Sequence, residues 1–298
     1  MQNAKLKNTL HLHLLVFIAG FTAILGELIT IEAIPLVWYR MLIAGILMYL
    51  YLRFTRISTK ISLKVIFKFL IAGIIIALHW ITFFASIKAA NISIALAMFS
   101  TGAFFAALIE PFFFNRKIIW YEILFGIIVA FGVYLIIDSE IKYLNGILLG
   151  ISSAFFSSLF AVINGRFVEN YKASVISFYE FIGGVLFISS YLFFAETGFS
   201  YDFFMLNSTD WIYLLILASI CTAYAFIGSV HVMKLISPYT VVLTYNLEPI
   251  YGIILAILFF GESEIMSANF YYGAILILLT VLLNGFFKNK PHLFNSKS

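Results

Sequence analysis

Long apolar runs separated by short polar connections make up almost the whole chain. A helix needs about 20 mainly apolar residues to cross the hydrocarbon core of a bilayer. Strands of a membrane barrel would instead alternate over about ten residues. The chain therefore predicts an all-α polytopic membrane protein with ten transmembrane helices, at about residues 10–31, 33–52, 67–87, 92–114, 118–137, 144–166, 174–195, 211–233, 238–260 and 268–287.

The composition agrees with this pattern. Of the 298 residues, 63% are hydrophobic and 11% are charged, whereas a soluble domain carries about 25% charged residues. The formal net charge of +4 is explained by cytoplasmic loops and does not require a nucleic-acid partner. A single cysteine excludes an intramolecular disulfide.

The distribution of basic residues predicts the orientation. With the N-terminus in the cytoplasm, nearly all Lys and Arg residues fall on the inner side, and the outer connections hold only Lys88 and Lys142. Cytoplasmic loops carry such an excess of Lys and Arg. We therefore expect a multi-pass protein of the cell (plasma or inner) membrane with both termini cytoplasmic.

Two stretches of the chain align with later stretches. Residues 88–126 align with residues 235–273, and residues 38–45 align with residues 178–185. In the second alignment Tyr39 lies opposite Tyr179 and Arg40 lies opposite Glu180. The alignments indicate an internal repeat.

Five spans per copy is an odd number, so the second copy enters the membrane from the opposite side. We therefore predict two inverted five-helix repeats, residues 1–140 and 141–298. Inverted repeats are usual in secondary transporters, with the substrate site near the midplane between the halves.

Three segments resemble the EamA-type ten-helix transporters of the drug/metabolite transporter superfamily. They are WYR (38–40), LHWITFFASIKAANISIALA (78–97) and ISPYTVVLTYNLEPIYGIILAILFFGE (236–262). The resemblance implies the ten-helix fold of these transporters and the movement of a small metabolite without ATP. Substrates in this family include amino acids, other metabolites and toxic compounds. In the first half, Gly102 stands where the family often has a proline.

Arg40 is the strongest candidate for a functional residue among the polar residues inside the spans. A charge at a helix centre costs about 2.5–3.5 kcal/mol on insertion scales, so it needs a partner or a wet cavity. Glu27, across a short hairpin, is one candidate partner, and an acidic group of the substrate is the other. Arg40 is either a clamp for a substrate carboxylate or half of a structural ion pair.

Other candidates lie in both halves. His79 is either a proton carrier or a hydrogen-bonded core residue, and Trp80 offers a stacking face. Glu180, beside Tyr179, is a candidate for substrate contact or proton coupling, or else a partner for a neighbouring side chain. Tyr245, Asn246 and Glu248 precede or adjoin Pro249, which is expected to free a backbone carbonyl near Tyr245. This patch is either a binding site or a hinge.

The sequence favours a secondary transporter that exports an amino acid-like or other small organic solute. Transport would occur by alternating access. The alternative is a membrane-embedded structural or enzymatic protein without transport activity. No G-x-x-x-x-G-K-[ST] loop and no H-E-x-x-H motif occurs. The expected partners are the small-molecule substrate and the lipid bilayer, with protons as the candidate coupling ion. No catalytic residue, metal, cofactor or nucleic acid is expected.

Overall fold

A computed structural model of the chain describes residues 2–115, 117, 119–195, 198–233, 244–245 and 247–288. Within these residues the regular structure is helical throughout, without a β-strand. The helices are α1 (Gln2–Leu28), α2 (Ala33–Phe54), α3 (Leu63–Ala89), α4 (Ile92–Phe99), α5 (Gly102–Phe114), α6 (Trp120–Ser139), α7 (Leu144–Phe167), α8 (Ala173–Phe194), α9 (Tyr201–Phe204), α10 (Ser208–Ala218), α11 (Ala225–Met233), α12 (Glu248–Phe260) and α13 (Ala268–Lys288). Two 3₁₀ turns, Ile141–Tyr143 and Gly261–Glu264, and a π-helical segment, Ser219–Tyr224, complete the regular structure.

The predicted class is confirmed. Among the described residues, nine helical segments are long and apolar enough to cross a membrane. They coincide with nine of the ten predicted spans, and the chain is a polytopic membrane protein. The remaining prediction, 238–260, lies partly outside the described residues. Its described end forms α12.

Two predicted spans are interrupted. The span over 92–114 divides into α4 and α5, with Ser100 and Thr101 at the break. Each hydroxyl returns a hydrogen bond to a carbonyl of α4, at 2.9 Å for Ser100 and 2.7 Å for Thr101. The span over 211–233 contains the π-helical segment between α10 and α11. Neither interruption contains a proline, so both rest on local hydrogen bonding.

Pro249 lies in a helical turn, and its predicted effect on the carbonyl near Tyr245 falls partly outside the described residues. The structure begins α12 at Glu248, which places Pro249 in the first turn. A first-turn N–H has no intrahelical acceptor, so a proline there removes no helical hydrogen bond. Pro249 is therefore accommodated in the first turn of α12.

Glycines allow α3 and α8 to pack with their backbones in contact. A Cβ at Gly73 would collide with the carbonyl of Glu180, and a Cβ at Gly183 would collide with the carbonyl of Leu70. Close approach through small residues is a general means of helix association in membranes. This contact fixes the position of Glu180 relative to α3.

Three buried carboxylates fasten one end of the helix bundle, which we call the carboxylate end. Asp210 accepts hydrogen bonds from the backbone N–H and the hydroxyl of Thr30, both at 2.7 Å. Glu264 accepts from the N–H groups of Ile92 and Ser93, at 3.0 and 2.8 Å. Glu140 accepts from the N–H of Ser267 at 3.0 Å. Each carboxylate thus binds the start of another helix or the connection before it, where backbone donors lack helical partners.

An aromatic cluster packs beneath this end. The rings of Tyr39 and Phe203 stack at 5.4 Å, and the Tyr39 hydroxyl donates to the Phe203 carbonyl at 3.0 Å. Trp38 packs against both of these rings and donates to the Ser189 hydroxyl at 2.8 Å. The start of α2 is therefore tied to α8 and α9.

Replacement of Gly73 tests the contact between α3 and α8. We expect Gly73→Ala to destabilise the protein by about 1–3 kcal/mol, because backbone atoms cannot rotate away from the new methyl group. Thermal unfolding of the purified protein in detergent measures the change. Gly45→Ala is the matched control, since its Cβ would meet only the Phe181 side chain at 3.4 Å. Equal stability of the two variants would contradict this packing.

Candidate functional site

A cavity of about 180 Å³ lies among α1, α2, α3, α7, α8, the π-helical segment and α11. Liquid water occupies about 30 Å³ per molecule, so the space corresponds to about six waters or a small solute. The cavity is lined by Ala19, Arg40, Ile76, Trp80, Phe160, Ser177, Glu180, Phe181, Cys221, Thr222, Ala225, Phe226 and Tyr245. The structure therefore brings four of the predicted site residues to one space.

Arg40 is held from two sides. It is only 4% exposed. Its Nε donates to the Thr222 hydroxyl at 2.8 Å, and its guanidinium carbon lies 4.0 Å from the centre of the Trp80 ring. This distance is within the range of a cation–π interaction. Its Nη1 is buried and has no hydrogen-bond partner among the described residues, so the guanidinium retains unused hydrogen-bonding capacity.

The expected pairing of Arg40 with Glu27 is wrong. The Glu27 side chain is exposed on α1, and the cation that interacts with it electrostatically is Lys88. Arg40 instead extends toward the π-helical segment and Trp80. No carboxylate lies within ion-pairing distance of Arg40 in the described part of the chain. Thr222 and Trp80 are the groups that stabilise its burial.

Glu180 lines the same cavity and is 1% exposed. Its two carboxylate oxygens accept hydrogen bonds from Asn164 at 2.8 Å and from Ser177 at 3.3 Å. Both partners are neutral. No cation pairs with Glu180 within the described residues. A basic and an acidic side chain thus share one buried cavity without forming an ion pair with each other.

Aromatic rings form much of the remaining wall. Trp80 lies under Arg40 and stacks with Phe181, with ring centres 6.2 Å apart. Phe160, Phe226 and Tyr245 also line the space. The cavity therefore offers an apolar wall together with charged groups, a combination typical of small-molecule sites.

His79 and Tyr179 do not line the cavity as described. The His79 ring is buried, and its Nδ1 lies 3.0 Å from the Ser153 carbonyl and 2.9 Å from the Ser153 hydroxyl. A carbonyl only accepts, so Nδ1 carries a proton and donates. This is the geometry of the hydrogen-bonded core alternative. The Tyr179 hydroxyl donates to the Thr59 carbonyl at 2.9 Å, in the connection after α2.

The predicted patch around Pro249 is only partly described. Tyr245 lines the cavity, and Asn246 lies outside the described residues. Glu248 begins α12 and interacts electrostatically with Arg40 without contacting it closely enough for an ion pair. In the described chain, no group of three or more His, Cys, Asp or Glu side chains could hold a metal ion.

Several residues of the site were not singled out from the sequence. Thr222 and Cys221 come from the π-helical segment, and Asn164 and Ser177 bind Glu180. Each is a small or neutral polar residue within a long apolar run. Such residues usually bond to their own helix backbone, so nothing in the pattern distinguishes these four.

The fold defines a helical, multi-pass membrane protein, and a cavity with a few polar groups lies among its helices. The model of the EamA-like transporter family matches residues 9–138 and again residues 144–286. The chain belongs to this family, and it is a membrane transporter of the drug/metabolite superfamily. The resemblance inferred from the sequence is thus confirmed. Members of this family are transporters and not enzymes.

The comparison with solved structures shows a similarity of fold alone. A solved structure described only as the crystal structure of a protein is similar, with a TM-score of 0.63 and 14% identity. The similarity covers 93% of this chain and 97% of that chain. No curated protein matches the chain.

The chain's single cysteine provides a test of the cavity, because Cys221 lines it. We expect a small, membrane-permeant methanethiosulfonate reagent to modify Cys221 in native membranes, with a mass shift of one adduct. Cys221→Ser is the control and should take no adduct. Modification that requires prior denaturation would show that the cavity is closed to solutes of this size.

Proposed function

We propose that this protein is a secondary transporter that exports a small organic solute through the cavity by alternating access. The solute is amino acid-like or another small organic molecule with an acidic group. The proposal rests on the Arg40 guanidinium, which lines the cavity. Among the described residues, one of its buried donors has no partner and no carboxylate is paired to it. An unpaired buried charge is costly, and a bound anionic group would offset that cost.

The reciprocal bonds of Tyr39 and Tyr179 support an arrangement of two inverted repeats, residues 1–140 and 141–298. Tyr39 in α2 donates to Phe203 in the connection after α8. Tyr179 in α8 donates to Thr59 in the connection after α2. A two-fold axis in the membrane plane would produce this exchange. It would also place Arg40 and Glu180, which occupy equivalent positions, at one cavity.

The charge distribution supports an orientation with both termini in the cytoplasm of the cell. The end opposite the carboxylate end carries exposed basic side chains, which include Arg53, Arg56, Lys60, Lys64, Lys68, Arg166 and Lys172. With this end inside, the carboxylate end faces outward. The outer side is then the one closed by buried carboxylates and the aromatic cluster. Protons are the candidate coupling ion.

A comparison of metabolites in cells and medium tests the proposal. Cells would overexpress the wild type, Arg40→Gln or Arg53→Gln at equal levels. Arg53 is the matched control, because it is an exposed arginine of the same helix, away from the cavity. We expect one compound to accumulate in the medium with the wild type and with Arg53→Gln, but not with Arg40→Gln. Such a result would identify the substrate and the direction.

Other outcomes separate the alternatives. Depletion of a compound from the medium would mean uptake and would contradict export. Equal metabolite levels for all three proteins would contradict transport. Arg40 also links α2 to α3 and the π-helical segment, which favours a structural role as the second candidate. Loss of the folded Arg40→Gln protein in detergent would support that role.

The two reciprocal tyrosines make alternating access testable. We expect Tyr39→Phe to speed modification of Cys221 by a membrane-impermeant thiol reagent added outside, by about two- to tenfold. That range corresponds to the loss of one hydrogen bond worth about 0.5–1.5 kcal/mol that closes the outer end. Tyr179→Phe should not speed outside modification, and Tyr134→Phe, at an exposed position of α6, is the control. Equal rates for Tyr39→Phe and the wild type would contradict this role of the bond.

A further inference from the structure

The π-helical segment gives Thr222 an unusual pair of hydrogen bonds. Its hydroxyl donates to the carbonyl of Leu217, five residues earlier, at 2.8 Å. In a regular α-helix, a threonine hydroxyl reaches the carbonyl three or four residues earlier. The wider π turn shifts the hydroxyl toward Leu217. Single π-helical turns are often found at functional sites.

This bond determines what Thr222 can offer to Arg40. A hydroxyl has one proton and two acceptor lone pairs. Since the proton is used on Leu217, the oxygen is left to accept, and it accepts from Arg40 Nε at 2.8 Å. Thr222 is therefore a hydrogen-bond acceptor for the arginine. It takes the place that a carboxylate would have in an ion pair, but it carries no charge.

Two contacts then fix the plane of the guanidinium. Thr222 holds the Nε side, and the Trp80 ring covers one face at 4.0 Å. The Nη1 group remains without a hydrogen-bond partner among the described residues. The arginine is thus oriented with its Nη1 group unpaired while its Nε is already satisfied. An anion would be bound through the terminal donors, end-on.

We propose that Thr222 is a positioning residue for substrate recognition: it orients Arg40 for end-on binding of a carboxylate group of the solute. This inference rests on the proposed function and names the chemistry that the site recognises. Among the described residues, the cavity lining carries one arginine and one glutamate. A monoanionic carboxylate brings less negative charge to this lining than a phosphate dianion would. The space of about 180 Å³ also suits a small carboxylate.

The test uses purified protein in detergent and two pairs of probes that differ in charge but not in shape. The pairs are hexanoate with hexanamide and benzoate with benzamide. Binding is followed by tryptophan fluorescence, with Trp80→Phe to identify the signal from the ring beneath Arg40. We expect the wild type to bind the carboxylates and to discriminate against the amides. Inorganic phosphate should not compete.

Substitutions at Thr222 separate positioning from structural support. Thr222→Val keeps the shape but removes the acceptor, and we expect it to raise the Kd of the carboxylates about tenfold or more, as for the loss of a hydrogen bond to a charged group. Thr222→Ser keeps the hydroxyl and should restore binding to within about twofold of the wild type. A purely structural role would lower the melting temperature without changing the preference for carboxylate over amide.

Three results would overturn the inference: unchanged carboxylate binding by Thr222→Val, failure of Thr222→Ser to restore binding, or a wild type that does not distinguish carboxylates from amides. Transport is measured separately, in proteoliposomes with the exported solute. There, Thr222→Val should raise KM while the maximal rate is kept. If the probes bind as expected but no solute crosses the membrane, the proposed function fails and the binding site stands. If solute crosses without a carboxylate preference, only the inference fails.

Discussion

The burial of the Arg40 charge is the constraint on which the centre of the molecule depends. A guanidinium inside a membrane protein has to be compensated by a partner, by a wet cavity or by both. Here the compensation is divided between a neutral oxygen, an aromatic face and a cavity, and no carboxylate is in contact with it within the described residues. A neutral acceptor and a ring stabilise the cation without neutralising it. The charge therefore remains without an ionic partner within the described residues.

The packing of the helices around the cavity determines where Arg40 and Glu180 lie. The close glycine contacts between α3 and α8 place Glu180 and Trp80 on neighbouring walls, and the π turn after α10 brings Thr222 to Arg40. Glu180 is oriented by neutral donors in the same manner as Arg40 is oriented by a neutral acceptor. Both side chains are positioned by hydrogen bonds to neutral groups, and neither forms an ion pair within the described residues.

The sequence predicted the helices well because apolar runs of about 20 residues have one physical solution in a bilayer. It also identified four residues that line the cavity, Arg40, Trp80, Glu180 and Tyr245. Polar and aromatic groups are conspicuous in apolar runs. It failed on the partner of Arg40. Proximity in the chain favoured Glu27 across a hairpin, but the direction of a side chain around a helix depends on packing, which one sequence does not reveal. Thr222 escaped notice for the same reason, because its role depends on a π turn without a sequence signal.

The carboxylate end has a further consequence for the electrical character of the surface. Asp210, Glu264 and Glu140 are almost fully inaccessible, and their oxygens bind backbone N–H groups. Helix starts carry partial positive charge of about half a unit, so the donors that these three acids bind offset part of their negative charge at a distance. A count of acidic residues along the chain therefore overstates the negative potential of this face. An anion that leaves the protein at this end would therefore meet less repulsion from these three acids than the sequence implies.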